Sequence, residues 1–482
     1  MNTTLNTYIQ NQITVKPTVL DDEISYAGKR FNHRQDFDKI TSYIDDFLEG
    51  KNINRFLLLP GIRDVGKSTI LFQTYEYLLR QKNISPRNIL YMSGDHLKQM
   101  CNATIMDGIL SYTNQYHAKP PELITEPVFL LIDEAQYDPN WALTGKVIFD
   151  SAKNIFMIFS GSSALELTYN GDAARRLLSF PITPLNYPEH LRLKYGDFKN
   201  DISKQITDLI FNQKTPDTTE IYSKIARIYA DFGNFDLNEW DNFLKFGGFT
   251  SGFFQTKAEI CKKIIDIVNR VITTDMKNIE GLNGTTQDLA FQLLYFFALQ
   301  NPGEISKGSM ANHLDSNKPT VNKILDTLEK TQLIFHVSPF TSSAKRTTKP
   351  NKYYFATSSL KHVLSLNLGN ATLENPNAYM GKLLENFVAS SFFNLENKSD
   401  ILYRTYYDGG KKGAKNVDFV VQRGMDNPIP VEVSYGKKDK SQIRRAIKKY
   451  DSPNGIIISN TTENIVKEDD IIYLPPQIFS FL

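Results

Sequence analysis

Short apolar runs alternate with amphipathic segments over the first part of the chain. The apolar runs have the length of buried strands and lie at 56–59, 88–92, 128–132 and 154–159. Between them the apolar residues recur at helical spacing, most clearly over residues 67–79. Strands that alternate with helices in this way predict an α/β domain built on a parallel sheet.

The rest of the chain changes its pattern several times, so we expect more than one domain. Residues 186–285 have helical periodicity and many aromatics and predict a helical lid or connector on the first domain. The N-terminal residues are polar with scattered apolar positions and predict a poorly ordered arm without chemistry. The expected division is an arm over 1–24, an α/β domain over 25–185, the helical connector over 186–285, a mainly helical domain over 286–375 and a second α/β domain over 376–482.

Composition adds little beyond an ordinary globular class. The chain has 55 Lys and Arg against 53 Asp and Glu, so its net charge of +2 argues neither for nor against nucleic acid. Cys101 and Cys261 stand far apart without a partner motif, which predicts neither a disulfide framework nor a zinc site. Since the sequence shows no export signal and no apolar run of about 18 residues, we expect a cytoplasmic protein away from membranes.

The segment RFLLLPGIRDVGKSTILFQTYEYLL, residues 55–79, carries the first chemical motif. Its glycines, lysine and serine match G-x-x-x-x-G-K-[ST], in which backbone N–H groups surround phosphate oxygens at a helix N-terminus. Lys67 would reach the outer phosphates and Ser68 would ligate Mg²⁺; the alternative is a chance glycine turn before a helix. The expected phosphate-binding residues are Gly61, Ile62, Arg63, Asp64, Val65, Gly66, Lys67, Ser68 and Thr69.

Two carboxylates follow the third apolar run, in the sequence VFLLIDEAQ. Asp133 at the strand end could hold Mg²⁺ through its water shell, and Glu134 could orient and deprotonate an attacking water. The alternative is a strand that simply runs into a helix N-terminus, where acidic residues are favourable. With the phosphate-binding motif upstream, we favour the catalytic interpretation.

Hydroxyl and basic residues near the fourth apolar run extend this candidate site. Ser160 would lie at the same sheet edge and is a candidate γ-phosphate sensor, although a helix-capping serine is an equal alternative. Arg175 or Arg176 could neutralise transition-state charge, within the chain or across a subunit contact in a homo-oligomer. Solvated surface arginines would give the same sequence pattern.

Three helical segments and a strand follow one another over residues 287–340, the order of a winged helix-turn-helix. Its recognition helix would direct Lys318, Thr320, Asn322 and Lys323 towards a DNA groove. Lys345, Arg346 and Lys349 would form the basic tip of the wing over residues 342–355. The alternative is a module that packs against protein, and the charge of this segment does not decide between the two.

The last part of the chain places three acids on a helix and two strands. Glu385, Asp418 and Glu432 would form the carboxylate set of a restriction-endonuclease-like metal site, but Ser434 stands where such a site needs a lysine. Lys437 or Lys438 could take its place from the following turn, but the plainer expectation is weak or absent cleavage. This part is also basic and would suit a phosphate backbone, unless its last helix is merely solvated. The residues expected to contact DNA here are Lys411, Lys412, Lys415, Lys437, Lys438, Arg444 and Arg445.

Taken in order, the motifs GIRDVGKST, LLIDEAQ, SGSS, the FGGF turn, LLENFV, VDFVV and IPVEVS resemble a family of bacterial and archaeal AAA-type ATPases. In that family a winged helix and a C-terminal restriction-endonuclease-like domain follow the ATPase domain. The resemblance implies ATP binding through residues 61–69 and handling of Mg²⁺ and water by Asp133 and Glu134. Members commonly have a lysine at the position of Ser434, so the resemblance itself leaves cleavage in doubt.

Two classes of function follow from these expectations. The first is a Mg²⁺-dependent ATPase that acts on or with DNA through the winged helix and the basic C-terminal domain. The second is a signalling or scaffold switch, in which ATP sets the conformation and the partner is a protein. Binding to DNA over a salt series separates them, because phosphate contacts weaken steeply with salt.

Overall fold

The structure is a computed structural model that describes residues 2–51, 53–162, 175–199, 201–212, 218–276, 284–300, 306–346, 349–369, 375–399, 401–409, 416–436 and 439–482. The chain divides into two compact units. The first contains Met1–Thr183 and Thr274–Gly281, and the second contains Pro184–Thr273 and Leu282–Leu482.

The first unit is built on a five-stranded parallel sheet whose strands are almost entirely apolar. Its strand order is β4-β5-β6-β3-β7, which brings the strand before the glycine-rich loop next to β6. The strands of this unit are β1 (Ser25–Tyr26), β2 (Lys29–Arg30), β3 (Phe56–Pro60), β4 (Ile89–Ser93), β5 (Val128–Asp133), β6 (Ile155–Gly161) and β7 (Leu178–Ser179). The short pair β1 and β2 forms a separate antiparallel ribbon. The predicted α/β fold with a parallel sheet is confirmed.

Helices of the first unit follow the strands in alternation, as a parallel sheet requires. They are Thr3–Thr14, Lys16–Glu23, Gln35–Leu48, Lys67–Glu76, Gly94–Cys101, Ile105–Tyr116 and Trp141–Ser151. Shorter helical turns lie at Tyr77–Gln81, Pro86–Asn88, Pro121–Leu123 and Ala135–Tyr137.

The expectation of a poorly ordered N-terminal arm is wrong. Residues Thr3–Thr14 and Lys16–Glu23 are helices, and Leu5, Ile9 and Ile13 are buried in the same apolar cluster as β4 and β5. These residues recur at helical spacing, so burial of one apolar face stabilises a helix that is otherwise polar.

The second unit contains an eight-stranded mixed sheet of order β14-β15-β13-β12-β11-β10-β8-β9. Its strands are β8 (Ile334–Pro339), β9 (Lys352–Phe355), β10 (Tyr403–Tyr407), β11 (Phe419–Arg423), β12 (Ile429–Ser434), β13 (Gly455–Ser459), β14 (Val466–Glu468) and β15 (Ile471–Leu474). Strands β8 and β9 come from the stretch expected to form a separate winged helix. Because β8 pairs with β10 in parallel, they instead extend the C-terminal sheet.

The second unit also contains helices, several of which pack on this sheet. They are Tyr187–Tyr195, Ile202–Asn212, Thr218–Asp231, Glu239–Phe246, Lys257–Arg270, Gly284–Leu299, Lys307–His313, Lys318–Lys330, Ser343–Arg346, Ser358–Asn367, Pro376–Lys398, Ser441–Tyr450 and Pro476–Phe479. Shorter helical turns lie at Thr250–Phe254 and Val271–Asp275, of which the latter crosses the boundary between the units.

The helical segment after residue 186 packs within the second unit, and its role as a lid or connector stays a prediction. Tyr187, Ile206 and Trp240 are buried in one cluster with Phe419 of β11 and Phe481 near the C-terminus. The local pattern predicted the helices correctly but could not show which sheet they cover. Among the helices that the structure describes, none is both long and apolar enough to cross a bilayer.

Candidate nucleotide-binding site

The glycine-rich loop joins the end of β3 to the helix Lys67–Glu76. Asp64 and Gly66 have φ angles of 65° and 90°, so the chain turns sharply before the helix begins. A side chain at Gly61 would overlap the backbone carbonyl of Ile182. Glycine is therefore required by space at Gly61 and is favoured by conformation at Gly66. Ser68 and Thr69 begin the helix and are partly exposed.

Lys67 is buried and binds the loop from inside. Its Nζ donates hydrogen bonds to the carbonyl oxygens of Gly61 and Ile62, both at 2.8 Å. Burial lowers the pKa of Lys67, and the nearby carboxylates Glu134 and Asp133 oppose that shift. These carboxylates therefore favour an ammonium group at a position where burial alone would disfavour the charge.

Arg34 and Arg63 link the loop to other parts of the first unit. Arg34 donates to the carbonyl oxygens of Val65 at 2.6 Å and Thr183 at 3.1 Å. Arg63 forms a bidentate ion pair with Asp275, with N–O distances of 3.0 and 3.3 Å. Burial would lower the pKa of Arg63, but the hydrogen bonds and charge of Asp275 raise it on balance. Asp275 was not predicted, since it lies 212 residues further along the chain.

Neutralising Asp275 is expected to strengthen ATP binding. The Asp275→Asn substitution removes a negative charge beside the loop and releases Arg63, so ATP affinity should rise by about three- to tenfold. Titration of a fluorescent ATP analogue measures the effect, and Asp46→Asn at an exposed position is the matched control. A weaker affinity in Asp275→Asn alone would show that Asp275 is needed to shape the loop.

Asp133 ends β5 and is held by three donors. Its carboxylate accepts hydrogen bonds from the Glu134 N–H at 3.0 Å, from the Tyr91 hydroxyl at 3.2 Å and from the Ser160 hydroxyl. Ser160 lies within β6 and is fully buried, so it does not cap a helix. In this structure Ser160 orients Asp133, and its contact with a γ-phosphate stays a prediction. Tyr91 was not predicted, because it lies inside an apolar strand with no motif of its own.

Glu134 begins the turn after β5 with a φ of 49°, a conformation that few non-glycine residues adopt. Burial raises its pKa, and the charge of Asp133 raises it further. The side-chain amide of Gln136 donates to Glu134 and its oxygen accepts from the Ser162 N–H at 3.2 Å. Gln136 therefore links the candidate base to the end of β6. It follows the DEA motif directly, and its position could have been noticed in the sequence.

These groups fit a nucleoside triphosphate together with Mg²⁺. The loop and Lys67 supply N–H donors and a positive charge for phosphate oxygens. Ser68 and Asp133 supply oxygen ligands, which Mg²⁺ prefers, and Mg²⁺ usually takes only one or two protein carboxylates beside water and phosphate. We therefore expect Mg²⁺ to bind with ATP rather than in a cage of protein ligands.

The arginines predicted as fingers lie elsewhere. Arg176 forms an ion pair with Asp150 at 2.8 Å. Because Leu178 pairs with Leu57 near the start of β3, Arg176 lies near the sheet edge opposite the glycine-rich loop. Arg175 is exposed beside it. The structure thus does not bring either arginine to the site of its own chain, and a role across a subunit contact stays a prediction.

In the second unit, the three predicted acids lie near one another without forming a metal site. Asp418 accepts a hydrogen bond from the Val433 N–H at 2.8 Å, next to Glu432 on β12. Burial, followed by the charge of Asp418, raises the pKa of Glu385 to about 7. Within the described ranges, no group of three or more His, Cys, Asp or Glu residues can hold a metal ion.

The remaining predicted residues of this region differ in their placement. The Ser434 hydroxyl donates to the Gly436 carbonyl at 3.1 Å. Lys318, Lys323, Arg444 and Arg445 are exposed, whereas Thr320 and Asn322 are partly buried. The other basic residues expected to contact DNA lie outside the described residues; they are Lys411, Lys412, Lys415, Lys437 and Lys438.

Family models match three parts of the chain. A family model described as an AAA domain matches residues 53–191. Two models described as domains of unknown function, DUF8612 and DUF4143, match residues 239–372 and 380–479. The Walker-type ATPase PABY2304 of Pyrococcus abyssi is 14% identical, with a TM-score of 0.40, and the match covers 69% of this chain and 95% of that chain. By the match to the AAA family model, residues 53–191 contain an AAA-type ATPase domain.

Full-length relatives extend the comparison beyond this domain. The uncharacterised protein MJ1637 of Methanocaldococcus jannaschii is 31% identical, and the match covers 99% of this chain and 94% of that protein. An uncharacterised protein of Haemophilus influenzae is 22% identical over 82% of this chain and 86% of its own length. The chain belongs to the same protein family as MJ1637.

Proposed function

We propose that this chain hydrolyses ATP with the help of Mg²⁺ and uses the reaction to act on or with DNA. The observation that carries the ATPase part is the convergence of Lys67, Asp133 and Glu134 at one edge of the sheet, beside a loop with N–H donors. The AAA domain match over the same residues supports it.

Each residue has a distinct role in this proposal. Lys67 binds the outer phosphates, and Ser68 and Asp133 hold Mg²⁺, which when bound would offset the charge of the phosphate oxygens. Glu134 orients the attacking water and accepts its proton, since it is a carboxylate with a raised pKa close to Lys67. Tyr91 and Ser160 keep Asp133 in place, and Gln136 does the same for Glu134.

The DNA part is supported by exposed basic residues on the second unit. Lys318 and Lys323 are exposed on the helix Lys318–Lys330, and Arg444 and Arg445 are exposed on the helix Ser441–Tyr450. Exposed lysines and arginines on helices are typical contacts to backbone phosphates. Because Ser434 stands where cleavage would need a lysine, we expect the chain to bind DNA without cutting it.

The test combines hydrolysis and binding in one preparation. Phosphate release should require Mg²⁺, stop in EDTA and rise when duplex DNA is added. Electrophoretic shift of the same duplex should weaken steeply between about 50 and 200 mM salt, and plasmid DNA should stay intact. Hydrolysis without any DNA binding at low salt would overturn the DNA part and favour a protein partner. No hydrolysis under any condition would overturn the ATPase part.

A further inference from the structure

A polar cleft of about 580 Å³ lies in the second unit, between the starts of two helices, β8 and the segment before β9. Most of its lining residues are polar or positively charged. The positively charged lining residues are Lys307, Lys318, Arg346 and Lys349, and the hydroxyl residues are Ser306, Ser338 and Ser343.

The charged side chains that line this cleft are of one sign, positive. Among the described residues that line it, none is Asp or Glu. His336 also lines the cleft, but it is hydrogen-bonded to Glu329, and that bond raises the pKa of His336. The pair therefore adds little net charge, and four cations face the cleft. Positive charges around a concave surface raise the local electrostatic potential, which attracts anions.

Two of the four cations are fixed by packing. The Arg346 guanidinium lies 4.6 Å from the ring centre of Tyr406 and donates to the Thr341 carbonyl at 3.1 Å. Lys349 donates to the Gly409 carbonyl. The segment expected to be a projecting wing is thus held by Tyr406 of β10 and by Gly409, which follows that strand. Lys307 and Lys318 are exposed and supply the other two positive charges of the cleft.

We propose that this cleft binds backbone phosphates of a nucleic-acid strand. The inference rests on the proposed DNA role and specifies which surface of the chain binds the DNA. Lysine, arginine and hydroxyl groups are the side chains that contact phosphate oxygens, and they carry no base preference. Lys323 and Lys345, the other basic residues expected on the recognition helix and wing tip, do not line the cleft. The cleft is therefore a phosphate-binding surface in addition to the exposed face of the helix.

The experiment compares two pairs of lysines on the full chain. Binding of a fluorescently labelled DNA duplex is measured by anisotropy over a salt series for the wild type, for Lys307→Ala with Lys318→Ala, and for Lys262→Ala with Lys263→Ala on the helix Lys257–Arg270 of the same unit. The cleft pair should weaken binding at least about tenfold at low salt and reduce the salt slope by about 1 for each lysine. The control pair should stay within about twofold of the wild type. All four residues are exposed, and the circular dichroism spectrum and melting temperature of the full chain verify that each variant is folded.

The outcomes separate this proposal from the proposed function. If the wild type hydrolyses ATP but does not bind the duplex, the DNA role itself fails. If the wild type binds DNA and the cleft pair has no effect, or the control pair has an equal effect, the cleft proposal alone is overturned. Competition by a poly-glutamate peptide as strong as that by unlabelled duplex would also overturn it, since the cleft would then select acidic chains in general.

Discussion

A chain carrying Lys67→Ala is expected to lose ATP binding and turnover while keeping its fold. The substitution removes the positive charge that the site directs at the outer phosphates, and turnover should fall by about 10²- to 10³-fold. It also leaves the carbonyl oxygens of Gly61 and Ile62 without the two donors they have now, at a cost of about 1–3 kcal/mol in stability. Titration with a fluorescent ATP analogue and phosphate release measure the two effects.

Two further variants make this result interpretable. Lys67→Met keeps a long side chain without the charge, so it should match Lys67→Ala in activity and unfold at a temperature closer to the wild type. Lys98→Ala removes an exposed lysine from the same unit and should leave affinity and turnover unchanged. ATP affinity and turnover at wild-type levels in both Lys67 variants would contradict the phosphate-binding role of the loop.

The second large effect is expected for Glu134→Gln, which should bind ATP normally and hydrolyse it at least about 10²-fold more slowly. The amide keeps the shape of the side chain, but it cannot accept a proton from water. Single-turnover hydrolysis beside equilibrium binding separates the two steps. Glu122→Gln, at an exposed position in the same unit, is the control. Turnover at the wild-type rate would place the base elsewhere.

The pH dependence provides an independent check on Glu134. Burial, together with the charge of Asp133, raises its pKa above the ordinary value of 4.5. Since only the ionised carboxylate can accept a proton, kcat/KM of the wild type should rise with pH through a midpoint above 4.5. That limb should be absent from the residual activity of Glu134→Gln. A wild-type midpoint at or below 4.5 would contradict the buried environment of this carboxylate.

The sheet of the first unit could be predicted closely because its strands are buried on both faces. Such strands appear as continuous apolar runs, and β3, β4, β5 and β6 each lie within two residues of their expected bounds. The glycine-rich loop and the acids after β5 follow from position, since parallel strands present their carboxyl ends at one edge. Local sequence was enough here because each feature lies next to the strand that places it.

Other features depend on contacts that local sequence does not specify. The ion pair between Arg63 and Asp275 joins positions 212 residues apart, and no spacing rule connects them. The pattern of β8 predicted a strand, but it gave no information on its partner, β10. The helix Thr3–Thr14 is a different case, because its apolar spacing was visible and its polar composition was given too much weight.

The most direct measurement is a crystal structure of Glu134→Gln with ATP and Mg²⁺, in which slow hydrolysis should preserve the nucleotide. We expect the β- and γ-phosphates against residues 61–67, with the Lys67 amine contacting their oxygens instead of the carbonyls of Gly61 and Ile62. The γ-phosphate should lie beside the side chain of residue 134. ATP bound elsewhere, or phosphates that leave Lys67 on the loop carbonyls, would contradict the account.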